Sequence, residues 1–214
     1  MEKLLAKSKA KKSRKVHAVG IGAGPIVEDE FGNYKIRAGQ LNGEFVARAF
    51  PKHSAKSQGL MAEAKGTSET DAIENLKSLL SERETNRSAA RRWEARSNSL
   101  VATQEEFLEA LRQTDLSAAQ QSMLKVHALA GEDGLVAVSI MNAGGYRSQD
   151  AAIKALAKAG IIMADFIGLD LPAGDKNRLE MALRVLGYRS TADTDVSLHL
   201  ILHKELRDAV GQTL

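Results

Sequence analysis

The chain has 214 residues, of which 43% are apolar and 4% are aromatic, and it contains no cysteine. This composition supports an aliphatic core, and the absence of cysteine excludes a disulfide scaffold, a thiolate zinc site and a cysteine nucleophile. The formal net charge is +3, from 30 basic and 27 acidic side chains.

The excess positive charge lies in residues 1–15, which hold seven basic side chains and one acidic side chain. This segment carries +6 and the remaining residues carry −3. We predict a disordered basic arm that binds DNA or another polyanion, with a purely solubilising role as the alternative. The candidate contacts in the arm are Lys9, Lys11, Lys12, Arg14 and Lys15.

Membrane segments are not expected. Lysines interrupt the apolar residues of the N-terminus, which argues against a signal peptide. The most apolar region, residues 159–171, contains two aspartates and is too short to span a bilayer. We therefore expect a cytoplasmic protein with no membrane partner.

Three glycines follow the basic arm, at Gly20, Gly22 and Gly24. Their spacing is similar to that of a phosphate-binding loop. That loop needs the spacing G-x-G-x-x-G, and the third glycine would fall at Pro25 or Val27. An acidic turn follows instead of a helix. We therefore predict strand or turn backbone at these glycines and no nucleotide cofactor.

A small sheet with one helix is predicted next. Residues 33–36 and 43–50 alternate apolar and polar side chains, and residues 60–65 supply a further strand. A capped helix follows, and one apolar face of it is formed by Ala72, Ile73, Leu76, Leu79 and Leu80.

Residues 43–51 (GEFVARAFP) and 59–80 (GLMAEAKGTSETDAIENLKSLL) resemble the HicB antitoxin domain. In that family the last strand runs through a Gly-Asp-Thr-like turn into a helix, and here residues 66–68 (Gly-Thr-Ser) occupy the turn. The Pro-Gly-Cys loop of the family is replaced by Pro-Lys-His-Ser at residues 51–54. The resemblance implies a HicB-like sheet-and-helix domain at residues 16–82 and, by analogy only, an antitoxin-like role.

An arginine-rich linker is predicted at residues 83–102. Residues 82–98 carry five arginines and no aliphatic side chain larger than alanine. Arg91 and Arg92 are candidate phosphate contacts if this segment extends the preceding helix. The alternative, which we favour slightly, is a solvated connector with Trp93 docked on a domain.

A mainly helical domain is predicted at residues 103–214. Thr103, Ser117 and Ser148 are candidate N-caps of three helices, because a side-chain oxygen before an apolar periodic run satisfies the first backbone N–H groups. A further short helix is predicted at residues 136–143, and a strand at residues 196–202.

The short helix, a glycine turn and the helix beginning near Ser148 follow the order of a helix-turn-helix, and the later strand supplies a wing. The N-terminal residues of such a second helix meet base edges, where Arg suits guanine and Gln suits adenine, while lysines farther along meet phosphate. The candidate contacts are Arg147, Ser148, Gln149, Lys154 and Lys158.

Residues 117–168, together with the later strand and last helix, resemble a winged-helix-like accessory module that accompanies HNH-type nucleases and related defence proteins. The resemblance implies DNA binding. No nuclease motif accompanies it in this sequence, so cleavage is not carried over.

Catalysis is not predicted. His199 and His203 lie four residues apart, but they span a strand and the start of a helix, and no glutamate follows the first. No serine stands in a nucleophile-elbow sequence. We expect no metal site, no cofactor and no enzymatic activity.

The sequence thus predicts an α+β protein with a HicB-like domain followed by a winged-helix-like domain. The predicted function is non-catalytic DNA binding in a regulatory or defence-related setting. The alternative is a protein-binding inhibitor or adaptor, antitoxin-like, that acts without contacting DNA. A protein partner or a homodimer is compatible with either function.

Overall fold

A computed structural model describes residues 16–17, 25–52, 59–190 and 198–214. The predicted basic arm and the three glycines at positions 20, 22 and 24 lie outside the described residues. The α+β class predicted from the sequence is confirmed. The chain forms two compact units: Met1–Phe50 with Leu60–Leu79, and Pro51–Gly59 with Leu80–Leu214.

The first unit contains a five-stranded sheet whose strands neighbour one another in chain order. The strands are β1 (Val16–His17), β2 (Ile26–Phe31), β3 (Tyr34–Leu41), β4 (Glu44–Pro51) and β5 (Ala62–Gly66).

The tight turn between β3 and β4 is set by its two central residues. Asn42 and Gly43 have φ values of 52° and 85°. Positive φ at both central residues matches the twist of a two-residue hairpin, and Asn-Gly adopts it at low cost.

The helix α1 (Glu69–Ala90) lies beside this sheet, because Asn75 Nδ2 donates to Lys65 O (3.0 Å) in β5 and Lys77 pairs with Asp29 in β2. Along β3 the buried residues alternate with exposed lysine and arginine, as the period of two requires. The helix begins where Ser68 Oγ accepts a hydrogen bond from Asp71 N (3.1 Å). The fully buried side chains of the unit include Ile36, Ala47, Ala49, Ala72, Ile73 and Leu76.

The second unit is mainly helical. Its helices are α2 (Gln104–Gln113), α3 (Ala118–Leu129), α4 (Ala137–Gly144), α5 (Gln149–Ile167), α6 (Asp175–Leu186) and α7 (Lys204–Thr213). Its strands are β6 (Arg92–Glu94), β7 (Ser99–Val101), β8 (Leu135–Val136), β9 (Gly187–Arg189) and β10 (His199–Leu202).

The N-caps predicted for α2, α3 and α5 are confirmed. Thr103 and Ser117 each form a capping box, with Glu106 and Gln120 respectively as the reciprocal partner. Ser148 Oγ accepts a hydrogen bond from Ala151 N (3.3 Å). Because a cap depends on residues three positions apart, it can be read from the sequence alone.

Residues 83–102 do not form an irregular connector. The helix α1 continues to Ala90, and β6 and β7 then pair as an antiparallel hairpin. The physical reason is that the arginines of this segment are paired with glutamates of the second unit, which lie in α2, in α7 and in β6 itself. The strand predicted at residues 196–202 is observed as β10, and residues 191–197 lie outside the described residues.

The core of the second unit is aliphatic and surrounds α5. Eight of the 19 residues of α5 are buried, and they form one stripe along the helix. No helix within the described ranges is long and apolar enough to cross a membrane.

Candidate nucleic-acid interface

The turn between α4 and α5 has the geometry that ends one helix and begins the next. Gly145 adopts the left-handed conformation (φ 69°), and Tyr146 N donates to Met141 O (3.0 Å). This pattern satisfies the last carbonyls of α4. Ser148 then caps α5. The chain therefore reverses within four residues and presents the first turn of α5 at the surface.

Two polar side chains of α3 hold α4 and α5 in place. The amide of Gln120 donates from Nε2 to Ala155 O (2.9 Å), and Ser122 Oγ donates to Ala143 O (2.8 Å). Gln120 is 7% exposed. The expectations from the sequence include neither residue in this role, although a glutamine three positions after a serine cap is a usable signal.

Two of the candidate contacts on α5, Lys154 and Lys158, lie opposite its buried stripe. Arg147, Gln149, Lys154 and Lys158 are all exposed. Lys154 and Lys158 are four residues apart and share one helical face. The buried stripe comprises Ala152, Leu156, Ala157, Ala159, Gly160, Met163, Ala164 and Ile167.

Three of these cations are uncompensated. In the part of the chain that the structure describes, Arg147, Lys154 and Lys158 make no side-chain hydrogen bond or ion pair. The hydroxyl of Ser148 is occupied as the N-cap of α5. Asp150 is the acidic residue of the first turn, where it complements the positive helix end.

A three-stranded sheet of order β8-β10-β9 flanks these helices. Its strands are antiparallel, with Leu200 opposite both Leu135 and Arg189. β10, the strand for which a wing was predicted, pairs antiparallel with β9, and its role as a wing stays a prediction.

Histidines attach β10 to the rest of the unit rather than to a metal. Nε2 of His127 lies 2.6 Å from Leu200 O, and Nε2 of His199 lies 2.6 Å from Asp133 O. Nε2 of His203 lies 2.8 Å from Arg184 O. Among the described residues no group of three His, Cys, Asp or Glu side chains has the arrangement of a metal site.

Burial controls the charge of two of these histidines. His127 and His203 are fully buried. Desolvation lowers the pKa of His127 to about 4, against the opposing hydrogen bond to Leu200, and it also lowers the pKa of His203. Both side chains are therefore neutral at pH 7 and act as structural hydrogen-bond donors.

The arginines of α1 face glutamates of α2. Arg83 and Arg87 both pair with the carboxylate of Glu109, and Arg91 pairs with Glu106. The side chain of Arg91 is only 8% exposed, and its Nη2 also donates to Ile167 O (3.1 Å). The prediction of Arg91 as a phosphate contact is therefore wrong, because its guanidinium is buried and engaged within the unit.

Arg92 is likewise engaged within the unit. Its Nε lies 2.7 Å from Glu205 Oε1, and its Nη1 lies 2.8 Å from Glu94 Oε2. These hydrogen bonds raise the pKa of Arg92 above its ordinary value. The charge of Arg92 is thus compensated within the unit, although its side chain is 42% exposed, and its role as a phosphate contact stays a prediction.

Trp93 is not docked on a domain, in contrast to the expectation from the sequence, since it is 59% exposed. It lies opposite Leu100 across the β6–β7 hairpin, and Leu100 is 46% exposed. The alternation of β6 explains this: Glu94 points inward to meet arginines, so Trp93 faces outward.

The remaining predicted contacts, Lys9, Lys11, Lys12, Arg14 and Lys15, lie outside the described residues. Comparison with known proteins found no matching protein-family model, no matching curated protein and no matching solved structure.

Proposed function

We propose that the protein binds duplex DNA without catalysing a reaction on it, with α5 as the recognition helix. The observation that carries this proposal is the contrast between two groups of cations. Arg147, directly before α5, and Lys154 and Lys158, on its exposed face, have no ion partner among the described residues, whereas the arginines of residues 83–96 are paired with glutamates.

The arrangement suits a duplex on physical grounds. Arg147 and Gln149 precede or begin α5, where side chains reach base edges in the major groove, and Lys154 and Lys158 lie farther along where the phosphate backbone passes. The positive end of the helix dipole adds to the attraction of the first turn of α5 for phosphate. The capped turn and the two hydrogen bonds from α3 make this surface rigid before DNA binds.

The basic arm is proposed as a second, sequence-independent contribution. Its seven cations within 15 residues would attract the phosphate backbone and increase the rate of association. A regulatory or defence-related setting is proposed from the two family resemblances alone.

The test measures the affinity of three variants for duplexes of random sequence and for a duplex selected for tight binding to the wild type. Lys154→Ala is expected to weaken all duplexes alike, whereas Arg147→Ala is expected to cost about 1–3 kcal/mol at a selected site and less elsewhere. Lys176→Ala is the matched control. Lys176 is exposed at the start of α6, beside the far end of α5, where Arg178 pairs with Asp165.

A full loss in the control, or full binding in both α5 variants, would contradict the recognition-helix assignment. The adaptor alternative is supported by the exposed pair Trp93 and Leu100. It would replace DNA binding if the wild-type protein bound no duplex and Trp93→Ala abolished binding to a purified protein partner.

A further inference from the structure

A cavity of about 490 Å³ lies in the second unit, between the β6–β7 hairpin and the residues of α6, β9 and β10. Its volume is within the range of about 300–1,000 Å³ that is usual for small-ligand sites. The part of the lining that bears on a ligand is Arg96, Asn98, Glu180, Arg184, Tyr188 and Arg189.

The cavity contains a flat cationic surface. The guanidinium carbon of Arg96 lies 3.7 Å from the centroid of the Tyr188 ring. Tyr188 is 8% exposed, whereas the side chain of Arg96 is 53% exposed. One face of the guanidinium therefore covers the phenol ring, while its other face is accessible.

Glu94 fixes the plane of this guanidinium. Arg96 donates from Nε to Glu94 Oε1 (3.0 Å) and from Nη2 to Glu94 Oε2 (3.1 Å). Two parallel hydrogen bonds restrain both the position and the tilt of the group. A restrained guanidinium plane is a surface on which a nucleobase stacks.

The charges of the cavity leave one cation for an anion. Arg184 is paired with Glu180, with Nη2 2.7 Å from Oε1. Arg189 is exposed and has no side-chain hydrogen bond or ion pair to any described residue. Arg189 is thus available to a phosphate, while the pair of Arg184 and Glu180 is close to neutral.

Asn98 adds a group that can read a base edge. Its φ of 50° belongs to the tight turn of the hairpin, and its backbone N donates to Ala95 O (3.3 Å). Its side-chain amide has no partner within the described ranges. An amide offers both donors and an acceptor, which matches the edge of adenine.

We propose that this cavity binds a nucleotide, with its base stacked on Arg96, its base edge at Asn98 and its phosphate at Arg189. The nucleotide is either free or an unpaired residue of a nucleic-acid strand. Only the strand source rests on the proposed DNA-binding function; binding of a free nucleotide is independent of it.

The experiment is calorimetric titration of the full chain with AMP and with adenosine. Arg189→Ala is expected to weaken AMP binding about tenfold and to leave adenosine binding unchanged, because only AMP carries the phosphate. Arg96→Lys keeps a charge opposite Glu94 but removes the planar surface, so it is expected to weaken both ligands. Arg112→Ala, an exposed and unpaired arginine on α2, is expected to change neither.

Thermal unfolding of each variant shows whether it is folded. If Arg96→Lys does not fold, Asn98→Gly replaces it, because glycine tolerates the positive φ and lacks the amide. A 5′-phosphorylated single strand of deoxyadenosines is titrated in parallel. If the strand binds and its affinity falls in Arg189→Ala, the nucleotide belongs to a strand. If AMP binds and the strand does not, the ligand is a free nucleotide.

No heat of binding with AMP or with the strand at about 1 mM, or an equal loss in Arg112→Ala, overturns the proposal. The double variant Lys154→Ala/Lys158→Ala separates it from the proposed function. This variant is expected to keep AMP binding while losing duplex affinity. Absence of AMP binding would therefore leave the DNA-binding proposal intact, and absence of duplex binding would leave the nucleotide proposal intact.

Discussion

Arg91 and Glu106 form an ion pair that is almost excluded from solvent, with Nη2 of Arg91 2.6 Å from Oε1 of Glu106 and the side chains 8% and 1% exposed. The same carboxylate accepts a hydrogen bond from Thr103 N (2.9 Å), which closes the capping box of α2. Arg91 also donates to Ile167 O at the end of α5. Arg91, which follows α1 directly, therefore connects the end of that helix to α2 and to α5.

Removing one partner of this pair is expected to be costly. Arg91→Ala leaves a buried carboxylate without its cation, and we expect it to lower the free energy of unfolding by about 3–5 kcal/mol. Arg112→Ala removes the same side chain from an exposed position that has no hydrogen bond or ion pair to any described residue, and it is expected to change the free energy of unfolding by less than about 0.5 kcal/mol. Urea unfolding measures both, and near-equal values would contradict the structural role of the pair.

The close approach of α5 and α6 at Gly160 supplies a second prediction. A Cβ at residue 160 would overlap the carbonyl oxygen of Ala182 in the backbone of α6. We therefore expect Gly160→Ala to destabilise the protein by about 1–3 kcal/mol, although alanine favours helix. Gly211→Ala, in α7 with open space around it, is the control and is expected to stabilise by about 0.5–1 kcal/mol. A higher melting temperature for Gly160→Ala than for the wild type would contradict this packing.

Acid destabilisation through His127 is the third prediction. Its pKa in the folded chain is about 4, below the ordinary 6.5, because it is desolvated beside Leu200 and faces His199. As the pH falls below 6.5 the unfolded chain binds a proton that the folded chain does not. Stability is therefore lost between pH 6.5 and 4, by a total on the order of 3 kcal/mol.

His203, whose pKa is also lowered by burial, contributes in the same direction. We expect His127→Gln, which retains a side-chain N–H but does not titrate, to have a shallower dependence of unfolding free energy on pH, by about one proton. Urea unfolding at pH 7, 6 and 5 measures the slope. An unchanged slope in His127→Gln would show that this histidine is accessible to solvent protons in the folded chain.

Replacement of Asp150 is expected to change duplex affinity and stability in opposite directions. This residue is exposed in the first turn of α5, among the proposed DNA contacts. Asp150→Asn removes a charge that repels phosphate, so duplex affinity should rise about threefold at low salt, while loss of the dipole interaction lowers stability by about 0.3–1 kcal/mol. Asp175→Asn, in the first turn of α6, should lower stability without raising affinity. Fluorescence anisotropy with a labelled duplex distinguishes the two variants.

Much of the second unit could be predicted because its signals are local. Thr103, Ser117 and Ser148 cap helices through partners three residues away. The apolar period of α5 places Leu156 and Gly160 inside, and therefore Lys154 outside, without knowledge of any other helix.

The ion pairs could not be predicted in the same way. Arg91 and Glu106 are 15 positions apart and Arg92 and Glu205 are 113 apart, so no local pattern joins them. The local pattern of the arginine-rich segment therefore favours a linker or a phosphate contact. A partial signal exists, since Arg83, Arg87 and Arg91 repeat every four residues and face a short acidic helix. The pairing itself is a consequence of tertiary packing.

Contacts between the exposed face of α5 and DNA phosphates, as proposed above, are measured by the dependence of duplex affinity on salt. The slope of log affinity against log salt has a magnitude of about 0.9 for each phosphate that the protein neutralises. We predict that Lys154→Ala/Lys158→Ala reduces the magnitude of the wild-type slope by about 2. The matched double variant Arg112→Ala/Lys176→Ala, which removes two other unpaired cations, is predicted to leave it unchanged. Equal slopes for the wild type and the α5 variant would show that Lys154 and Lys158 do not contact phosphate.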